Sequence, residues 1–469
     1  MFDIYKTQYQ KLLKLGVPVI LSQIGIFSVQ IFDNAMVGSL GALPLAAISF
    51  SISVFMVMFL GITGLSMSIT PLIGEAFAQG KKKIVSSYLF NALLLFTVIS
   101  VLAMLVLLAI IPFLYCLGQP VEVVDAALPY YRHLAWSIIP YMMFCCFERF
   151  WEGIGNTKVN MTIVIIANLI NIFLNWLLIF GNWSFPRMEA AGAGLATLIS
   201  RMCMAVFAFI WFAVIPKYRG YLKFFTVRNI RWATNRTLLK MGLPISFQFT
   251  TEGITITFTA IMVGWFGTAA IAANQITMTV SGLVFMVALG LSAATTICIS
   301  HEYGQRNIAQ MRKVSIASLH LVAAWSVLLA IVFLLFGENI VRIFNDEPEV
   351  VAIALQLLMF YSCVILFDGL QDVSVSQLRG IQDVKTLMPI SVLCYGVIQL
   401  PLGYFLAFVL NIGVLGIYTG LGIALIIAFT LFRLRFLKQL KLMERQYKSI
   451  QKKRSLFYVE LGSNIRNRL

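Results

Sequence analysis

Three acidic side chains, Asp33, Glu252 and Asp368, lie inside long and otherwise apolar stretches of this 469-residue chain. An ionisable group within a membrane helix costs a few kcal/mol on insertion scales, so by default it marks a transport pathway or a binding site. Carboxyl groups at such positions can bind and release metal cations or protons. That is the chemistry that these three residues predict.

Asp33 has candidate partners on two later apolar segments. Asn168, Asn171 and Asn175 are spaced by three and four residues, which stacks them on one helix face, and Thr197 adds a hydroxyl group. Carboxylate, amide and hydroxyl oxygens are hard ligands that suit a hard cation such as Na⁺. The same carboxyl group can instead take a proton, because an apolar environment disfavours the charged form. The alternative is a ladder of hydrogen bonds that only joins helices, at about 0.6 kcal/mol per bond.

A second acidic group is predicted in the other half of the chain. It comprises Glu252, Asp368 and Asp372, and the two aspartates are four residues apart, so they share a helix face. Like charges at that spacing favour a proton on one of the pair. We expect this group to bind an ion or a cationic substrate.

A third charged cluster, Glu148, Arg149 and Glu152, lies near the end of an apolar stretch. Opposite charges at this spacing can pair along one helix. The sequence favours a structural or gating ion pair there over a binding site.

The composition places these groups in a membrane protein. Hydrophobic residues make up 60% of the chain and charged residues only 12%, against about 25% charged residues in soluble domains. The net charge of +16 does not predict nucleic-acid binding, because the basic residues lie in short segments between apolar stretches, where they set orientation beside membrane lipids. Seven scattered cysteines and three distant histidines predict neither disulfides nor a metal cluster, and no cofactor is expected.

Hydrophobic stretches predict twelve membrane spans. Since every backbone polar group in lipid must be bonded internally, these spans are expected to be α-helices. The predicted spans are 15–38, 47–74, 87–112, 130–154, 160–181, 190–214, 241–265, 269–299, 315–336, 352–377, 387–410 and 413–436.

The loops between the spans differ in charge. The connection 215–240 holds seven Lys or Arg residues and no acid, whereas loops on the opposite side contain Glu122, Asp125, Asp346 and Glu349. Basic loops stay in the cytoplasm, so both termini are predicted to be cytoplasmic.

An internal repeat divides the chain. The segment Leu12–Pro18 reappears as Leu238–Pro244, an offset of 226 residues that persists through two whole predicted helices. Both halves begin on the same side, so they form two parallel six-helix repeats. In this register Thr259 takes the position of Asp33, so the halves share a scaffold but not a site. The predicted divisions are an amino-terminal lobe 1–214, a basic cytoplasmic linker 215–240, a carboxyl-terminal lobe 241–436 and a basic cytoplasmic tail 437–469.

Enzyme signatures are missing from the sequence. It has no HExxH, GxSxG, GxxxxGK[ST] or GxGxxG motif. The chain is therefore not expected to be an enzyme. Without a phosphate-binding loop, an ion gradient remains as the source of energy.

Three motifs resemble the multidrug and toxic compound extrusion (MATE) family, in its NorM-like bacterial branch. They are Phe32–Gly38 in the first span, Asn171–Trp176 in the fifth and Leu378–Gly380 after the tenth. The resemblance implies an all-α, V-shaped transporter with two lobes and alternating access, located in the bacterial plasma (inner) membrane and working as a monomer. It implies export of cationic amphipathic drugs, and so antibiotic resistance, by antiport with Na⁺ or H⁺.

The resemblance also implies roles for particular residues. Asp33, Asn171, Asn175 and Thr197 resemble the cation site of the family's amino-terminal lobe. Glu252 and Asp368 resemble the pair that binds cation and substrate in the carboxyl-terminal lobe. Two positions depart from the NorM-like pattern: Asn274 stands where a histidine is frequent, and Val364 where a tyrosine is frequent.

Two other functions compete with drug efflux. A flippase of the same superfamily, moving a lipid-linked saccharide, would need a cationic cavity for the pyrophosphate, whereas the predicted charges of the mid-span regions are acidic. A membrane-embedded hydrolase or transferase would need a nucleophile or metal cluster, and the sequence contains no pattern that predicts one. Drug efflux is the function that the sequence favours.

Overall fold

The computed structural model describes residues 2–226 and 229–466, with side chains for 4–226, 229–447 and 449. This part of the chain is almost wholly helical and contains no β-strand. The amino-terminal half comprises α1 (Phe2–Gly38), α2 (Ala42–Ser66), α3 (Ile69–Ala78), α4 (Lys82–Ala109), α5 (Ile111–Leu114), α6 (Val121–Gly153), α7 (Thr157–Phe180) and α8 (Glu189–Val214). The remainder comprises α9 (Pro216–Leu222), α10 (Trp232–Gly264), α11 (Thr268–Gly304), α12 (Ile308–Arg342), α13 (Pro348–Gly380), α14 (Leu387–Ser391), α15 (Leu400–Tyr404) and α16 (Val414–Arg466).

The helices confirm the predicted all-α membrane fold. Within the described residues, ten helical segments are long and apolar enough to cross a membrane, and each coincides with a predicted span. The predicted fourth and seventh spans fall on α6 and α10, which have 33 residues each but more polar side chains. Their polar residues include Glu252 on α10 and the cluster of Glu148, Arg149 and Glu152 on α6.

Some boundaries differ from the prediction. The predicted second span, 47–74, is interrupted at Met67 and Ser68, between α2 and α3. The predicted linker, 215–240, contains α9 and the first turns of α10. Helix α16 continues beyond the last predicted span to Arg466, so the predicted tail is largely helical.

The predicted eleventh span is not a regular α-helix. Wider π-helical segments, Val392–Gln399 and Phe405–Val409, flank α15. Such segments are rare and are frequently found at functional sites. The equivalent helix of the other half, α7, is a regular α-helix.

The repeat is visible in the backbone. Gly41 before α2 and Gly267 before α11 have φ angles of 126° and 104° with extended ψ, a conformation essentially restricted to glycine. The turn residues Gly80 and Arg306 also share a positive φ. Both pairs are 226 residues apart, which is the offset predicted from the sequence.

The two halves pack together along four helices. Helix α1 lies against α11, and α2 lies against α10. A Cβ added at Gly64 would lie 2.7 Å from the Cα of Ser246, and one added at Gly290 would lie 2.8 Å from the backbone nitrogen of Ile20. These two glycines are repeat equivalents, and each lets a helix of one half touch the backbone of the other.

Polar contacts between the halves lie at the end of the molecule that carries the amino terminus. They join Gln8 to Gln310 (2.9 Å), Lys11 to Glu302 (3.1 Å), Glu75 to Gln382 (2.6 Å) and the Gly153 carbonyl oxygen to the His301 ring (2.7 Å). Toward the opposite end, large apolar residues of α1 and α10 such as Phe32 and Phe258 are exposed. The two lobes therefore form a V that is closed at the amino-terminal end.

The glycine contacts predict how this closure can be weakened. In the variant combining Gly64→Ala and Gly290→Ala, each new methyl group meets a backbone, so the closed contact should be disfavoured. We expect several-fold less cross-linking of cysteines placed at Gln8 and Gln310, in a background without the native cysteines. Gly396→Ala is the control, because a Cβ there meets nothing within 4 Å. Equal cross-linking in all three proteins would contradict the packing described.

Candidate functional site

A cavity of about 150 Å³ lies inside the amino-terminal lobe. Side chains from α1, α2, α6, α7 and α8 line it, so it depends on the packing of five helices. Its polar lining residues are Gln30, Asp33, Tyr130, Tyr141, Asn168, Asn171, Thr197, Ser200 and Arg201. Three of the four residues predicted for this lobe, Asp33, Asn171 and Thr197, therefore face one space.

The fourth predicted residue, Asn175, lies behind the cavity wall and joins two of the others. Its amide nitrogen donates hydrogen bonds to Asp33 Oδ1 and, at 3.1 Å, to Asn171 Oδ1. Asp33 is buried, with 8% of its surface exposed. A hydrogen bond from Asn175 to Asp33 thus joins α7 to α1, and the contact between Asn175 and Asn171 agrees with their four-residue spacing. Thr197 donates to the Ala193 carbonyl oxygen at 3.0 Å and keeps its lone pairs free for another partner.

The oxygen of the Asn175 amide is buried and accepts no hydrogen bond from the described residues. The oxygen and nitrogen of such an amide are assigned from the hydrogen-bond network, so the reversed orientation has to be considered. In that orientation, oxygen atoms of Asp33, Asn171 and Asn175 would face one another. Oxygens in that arrangement repel unless a cation lies among them or Asp33 carries a proton that it donates to one of the amide oxygens.

Sequence reasoning missed a cation in the same cavity. Arg201, four residues after Thr197 on α8, lines the cavity and donates from Nη1 to Ser137 Oγ at 2.8 Å. Its guanidinium group lies over three aromatic rings, those of Phe55 (5.6 Å), Phe59 (5.1 Å) and Tyr141 (5.0 Å). An arginine inside an apolar span was the available signal, by the rule that singled out Asp33. The expectation that the mid-span charges are acidic is therefore wrong for this lobe.

In the carboxyl-terminal lobe, hydrogen bonds link Glu252 to an arginine. Gln248 Nε2 donates to Glu252 Oε1 at 3.0 Å, and Arg379 Nη2 donates to Gln248 Oε1 at 3.2 Å. The Arg379 guanidinium group lies 5.1 Å from the centre of the Phe249 ring. The side-chain amide of Gln248 thus connects the Glu252 carboxylate to the Arg379 guanidinium group on α13.

The two aspartates of α13 have different surroundings. Asp368 Oδ2 accepts a hydrogen bond from the Tyr361 hydroxyl at 2.9 Å. Asp372 Oδ2 is buried and accepts no hydrogen bond from the described residues, although the charge of Arg379 acts on it. The charge of Glu252 interacts with those of Asp368, Asp372 and Arg379, and Asp372 also interacts with Asp368 and Arg379. They form one charged cluster, which we call the carboxyl-lobe cluster.

Positions related by the repeat carry different chemistry. Thr259 stands at the position of Asp33, and its hydroxyl oxygen accepts a hydrogen bond from Gln399 at 3.3 Å. This neutral pair joins α10 to the eleventh span, as Asp33 and Asn175 join α1 to α7. Asn274, one of the departures from the NorM-like pattern, accepts a hydrogen bond from the Tyr418 hydroxyl at 2.9 Å. The two lobes share a helical scaffold, but the side chains at equivalent positions differ in charge.

The third predicted cluster is an ion pair. Arg149 lies 2.9 Å from Glu152 and 3.4 Å from Glu148, and all three side chains are buried. Asn160 donates to Glu148 at 2.7 Å, and Thr70 donates to Glu152 at 3.0 Å. These contacts join α6 to α3 and α7, whereas Arg149 Nε is buried and has no hydrogen-bond partner among the described residues.

A family model, MatE, matches the chain twice, over residues 18–177 and 244–405. The two matches begin 226 residues apart. Proteins named "Probable multidrug resistance protein NorM" are similar over most of their length. That of Geobacillus kaustophilus is 29% identical over 91% of this chain and 95% of its own. That of Synechococcus sp. is 28% identical over 92% of this chain and 94% of its own.

Solved structures share the fold. An outward-facing multidrug resistance MATE family transporter of the MOP superfamily has a TM-score of 0.86 and 19% identity, over 93% of this chain and 97% of its own. A Pyrococcus furiosus MOP superfamily transporter, whose binding pocket is described as having reverse polarity suggesting a different function, has the same score, identity and coverage. Since the family model covers more than half of the residues, the chain belongs to the MATE family of membrane transporters, in its NorM-like bacterial branch.

Proposed function

We propose that this protein is a secondary active multidrug efflux transporter of the bacterial plasma (inner) membrane. It exports cationic amphipathic compounds by antiport with Na⁺ or H⁺ and works by alternating access as a monomer. One observation supports this best: each lobe holds buried carboxyl groups within the membrane region, and the lobes meet at one end only. The names of the NorM relatives support the substrate class.

The coupling ion is proposed to bind at Asp33. Asn171, Asn175 and Thr197 supply neutral oxygens beside the carboxyl group, and several neutral oxygens favour Na⁺, because a proton needs only one acceptor. The positive charge of Arg201 in the same cavity disfavours simultaneous binding of two cations. Na⁺ and H⁺ are therefore expected to compete for Asp33. Coupling requires that the ion bind the two lobe arrangements with different affinity, because equal affinity would not shift the equilibrium between them.

The cationic part of the substrate is proposed to bind the carboxyl-lobe cluster. Glu252 and Asp368 each accept one hydrogen bond from a neutral side chain and keep further lone pairs for a ligand. Asp372 interacts with the charge of Arg379, so it is assigned to holding the cluster together. The drug and the ion compete for the cluster, and their relative affinities decide which of them binds.

The lobe divisions 1–214 and 241–436 and the cytoplasmic location of both termini are part of the proposal. Loop charge supports the orientation, since basic segments such as 215–240 remain in the cytoplasm. In this orientation the closed end of the V faces the cytoplasm. The described conformation would then be open to the outside, where substrate is released and the ion enters.

Transport of a lipid-linked saccharide is the second candidate, and Arg201 is the observation that favours it. A pyrophosphate group would require several cations, whereas this cavity also contains Asp33, whose charge would repel phosphate. Flipping of such a lipid in reconstituted vesicles, without dye transport, would decide for this candidate.

The first prediction concerns ion coupling. Asn175→Ala removes the residue that joins Asp33 to Asn171, so Na⁺-driven efflux of a cationic dye from vesicles should fall about tenfold or more, the scale of one charged-group hydrogen bond. A pump run by protons alone should keep most of its activity at acidic external pH. Thr162→Ala on the same helix, an exposed hydroxyl, is the control. Unchanged Na⁺-driven efflux in Asn175→Ala would show that the asparagines only join helices.

The second prediction concerns the carboxyl-lobe cluster. Glu252→Gln and Asp368→Asn keep shape and remove charge, so each should abolish efflux of a cationic dye while the protein still inserts. Glu349→Gln, which removes an exposed carboxylate from the start of α13, should pump normally. If both cluster variants extrude dye at the wild-type rate, substrate binds elsewhere.

A further inference from the structure

A second cavity lies on the surface of the amino-terminal lobe, between α7 and α8. Its volume is about 370 Å³, within the range of small-molecule sites. Every lining side chain is aliphatic or aromatic, and several of them are exposed, so the cavity is an apolar groove open to the membrane. We call it the outer groove, and its lining residues include Ile163 and Ile166 of α7 and Phe207, Ile210, Trp211 and Val214 of α8.

The outer groove ends beside two exposed lysines. Ile215, the last lining residue along the chain, precedes Lys217 by two positions, and Lys158 lies in the first turn of α7. The side-chain amide of Asn156 donates a hydrogen bond to the Tyr218 hydroxyl, so the start of α7 is in contact with α9. Because each lysine lies within two residues of this contact, both positive charges flank the same end of the groove.

The two lysines have no counter-charge among the described residues. No carboxylate oxygen lies within 4 Å of either ammonium group there. The connection 215–240 adds further basic residues and no acid. Thr157 donates to the Leu15 carbonyl oxygen at 3.0 Å, which places this end of the groove at the level where the first predicted span begins. An apolar groove thus leads to a positive site at the membrane surface.

We propose that the outer groove binds one anionic phospholipid. An acyl chain lies along the apolar side chains from Ile215 toward Phe207, and the phosphate is bound between Lys158 and Lys217. Basic pockets between membrane helices are complementary to anionic headgroups, and each lysine near the surface adds to the attraction. The lysines provide the selectivity, because the apolar groove alone would accept the chain of any lipid. The site lies outside the transport pathway, and only its assignment to the cytoplasmic leaflet depends on the proposed orientation.

Two phospholipids with the same chains test the headgroup: anionic dioleoyl phosphatidylglycerol and zwitterionic dioleoyl phosphatidylcholine. Each is titrated into the purified full-length protein in detergent, and binding is measured by native mass spectrometry. The wild-type protein should bind the first phosphatidylglycerol about tenfold or more tightly than phosphatidylcholine. Lys158→Gln combined with Lys217→Gln should remove most of this preference and leave phosphatidylcholine binding unchanged. Lys438→Gln combined with Lys441→Gln, which removes two exposed lysines of α16, is the control and should keep the preference.

A groove-filling variant tests where the acyl chain lies. Ile210→Trp places a larger side chain in the groove, so it should weaken binding of both lipids several-fold. Val98→Trp, at an exposed apolar position of α4, is the control and should change neither. All of the substituted residues are exposed, so each variant is expected to unfold at the wild-type temperature in lipid-free detergent.

Equal affinity of the wild-type protein for the two lipids would overturn the proposal, as would an equal loss of preference in both double-lysine variants. Unchanged lipid binding in Ile210→Trp would show that the chain lies elsewhere and would exclude the outer groove. Binding of the uncharged dye Nile red that Ile210→Trp abolishes, and that phosphatidylglycerol does not displace, would assign the groove to a drug and contradict the lipid assignment.

Discussion

A carboxyl group inside a membrane helix is tolerated only where other groups of the protein satisfy it, and this constraint shapes the amino-terminal lobe. Asp33 on α1 is held by Asn175 on α7, which also bonds Asn171. The contact fixes the two helices against each other at the depth where the cavity forms. In lipid the alternative, an unsatisfied charge, costs several kcal/mol, so the polar pair determines the local packing.

The same constraint makes the two halves unequal. At the position of Asp33 the other half has Thr259, which forms a neutral hydrogen bond with Gln399 and requires no bound ion. Its charges lie instead in the carboxyl-lobe cluster, where Arg379 partly balances Glu252 and Asp372. A duplicated scaffold thus carries two different charge arrangements. In the proposed function, one lobe responds to an ion and the other binds a cationic substrate.

Closure between the lobes combines close backbone packing with polar contacts. Gly64 and Gly290 bring backbones into contact, and Lys11 pairs with Glu302 across the interface at a partly exposed position. A contact held mainly by packing can open without breaking a buried salt bridge, which would cost several kcal/mol.

Much of the fold was predictable because its signals are local. Apolar stretches of about 20 residues predict spans, and the 226-residue offset predicts the repeat that Gly41 and Gly267 show in the backbone. Spacing predicted that Asn171 and Asn175 share a helix face, and the structure shows that Asn175 bonds Asp33. Arg201 was missed although it lies inside an apolar span; its place beside Ser137 and three aromatic rings depends on helices distant in the chain.

Other features depended on tertiary structure for the same reason. The interruption at Met67 and Ser68 and the π-helical segments around α15 have no distinct local pattern. Apolar composition alone continues smoothly through both of them. Their positions are set by how neighbouring helices pack, which a single sequence does not display.

The central claim is that an ion at Asp33 changes the arrangement of the lobes. Spin labels at Leu45 and Ile271, exposed repeat-equivalent residues at the open end, would report the distance between the lobes by pulsed electron paramagnetic resonance. The account predicts that Na⁺ or acid shifts the distance distribution of the wild-type protein relative to K⁺ at neutral pH, and that Asp33→Asn abolishes the shift. The same distribution in all conditions, or an unchanged response in Asp33→Asn, would contradict it.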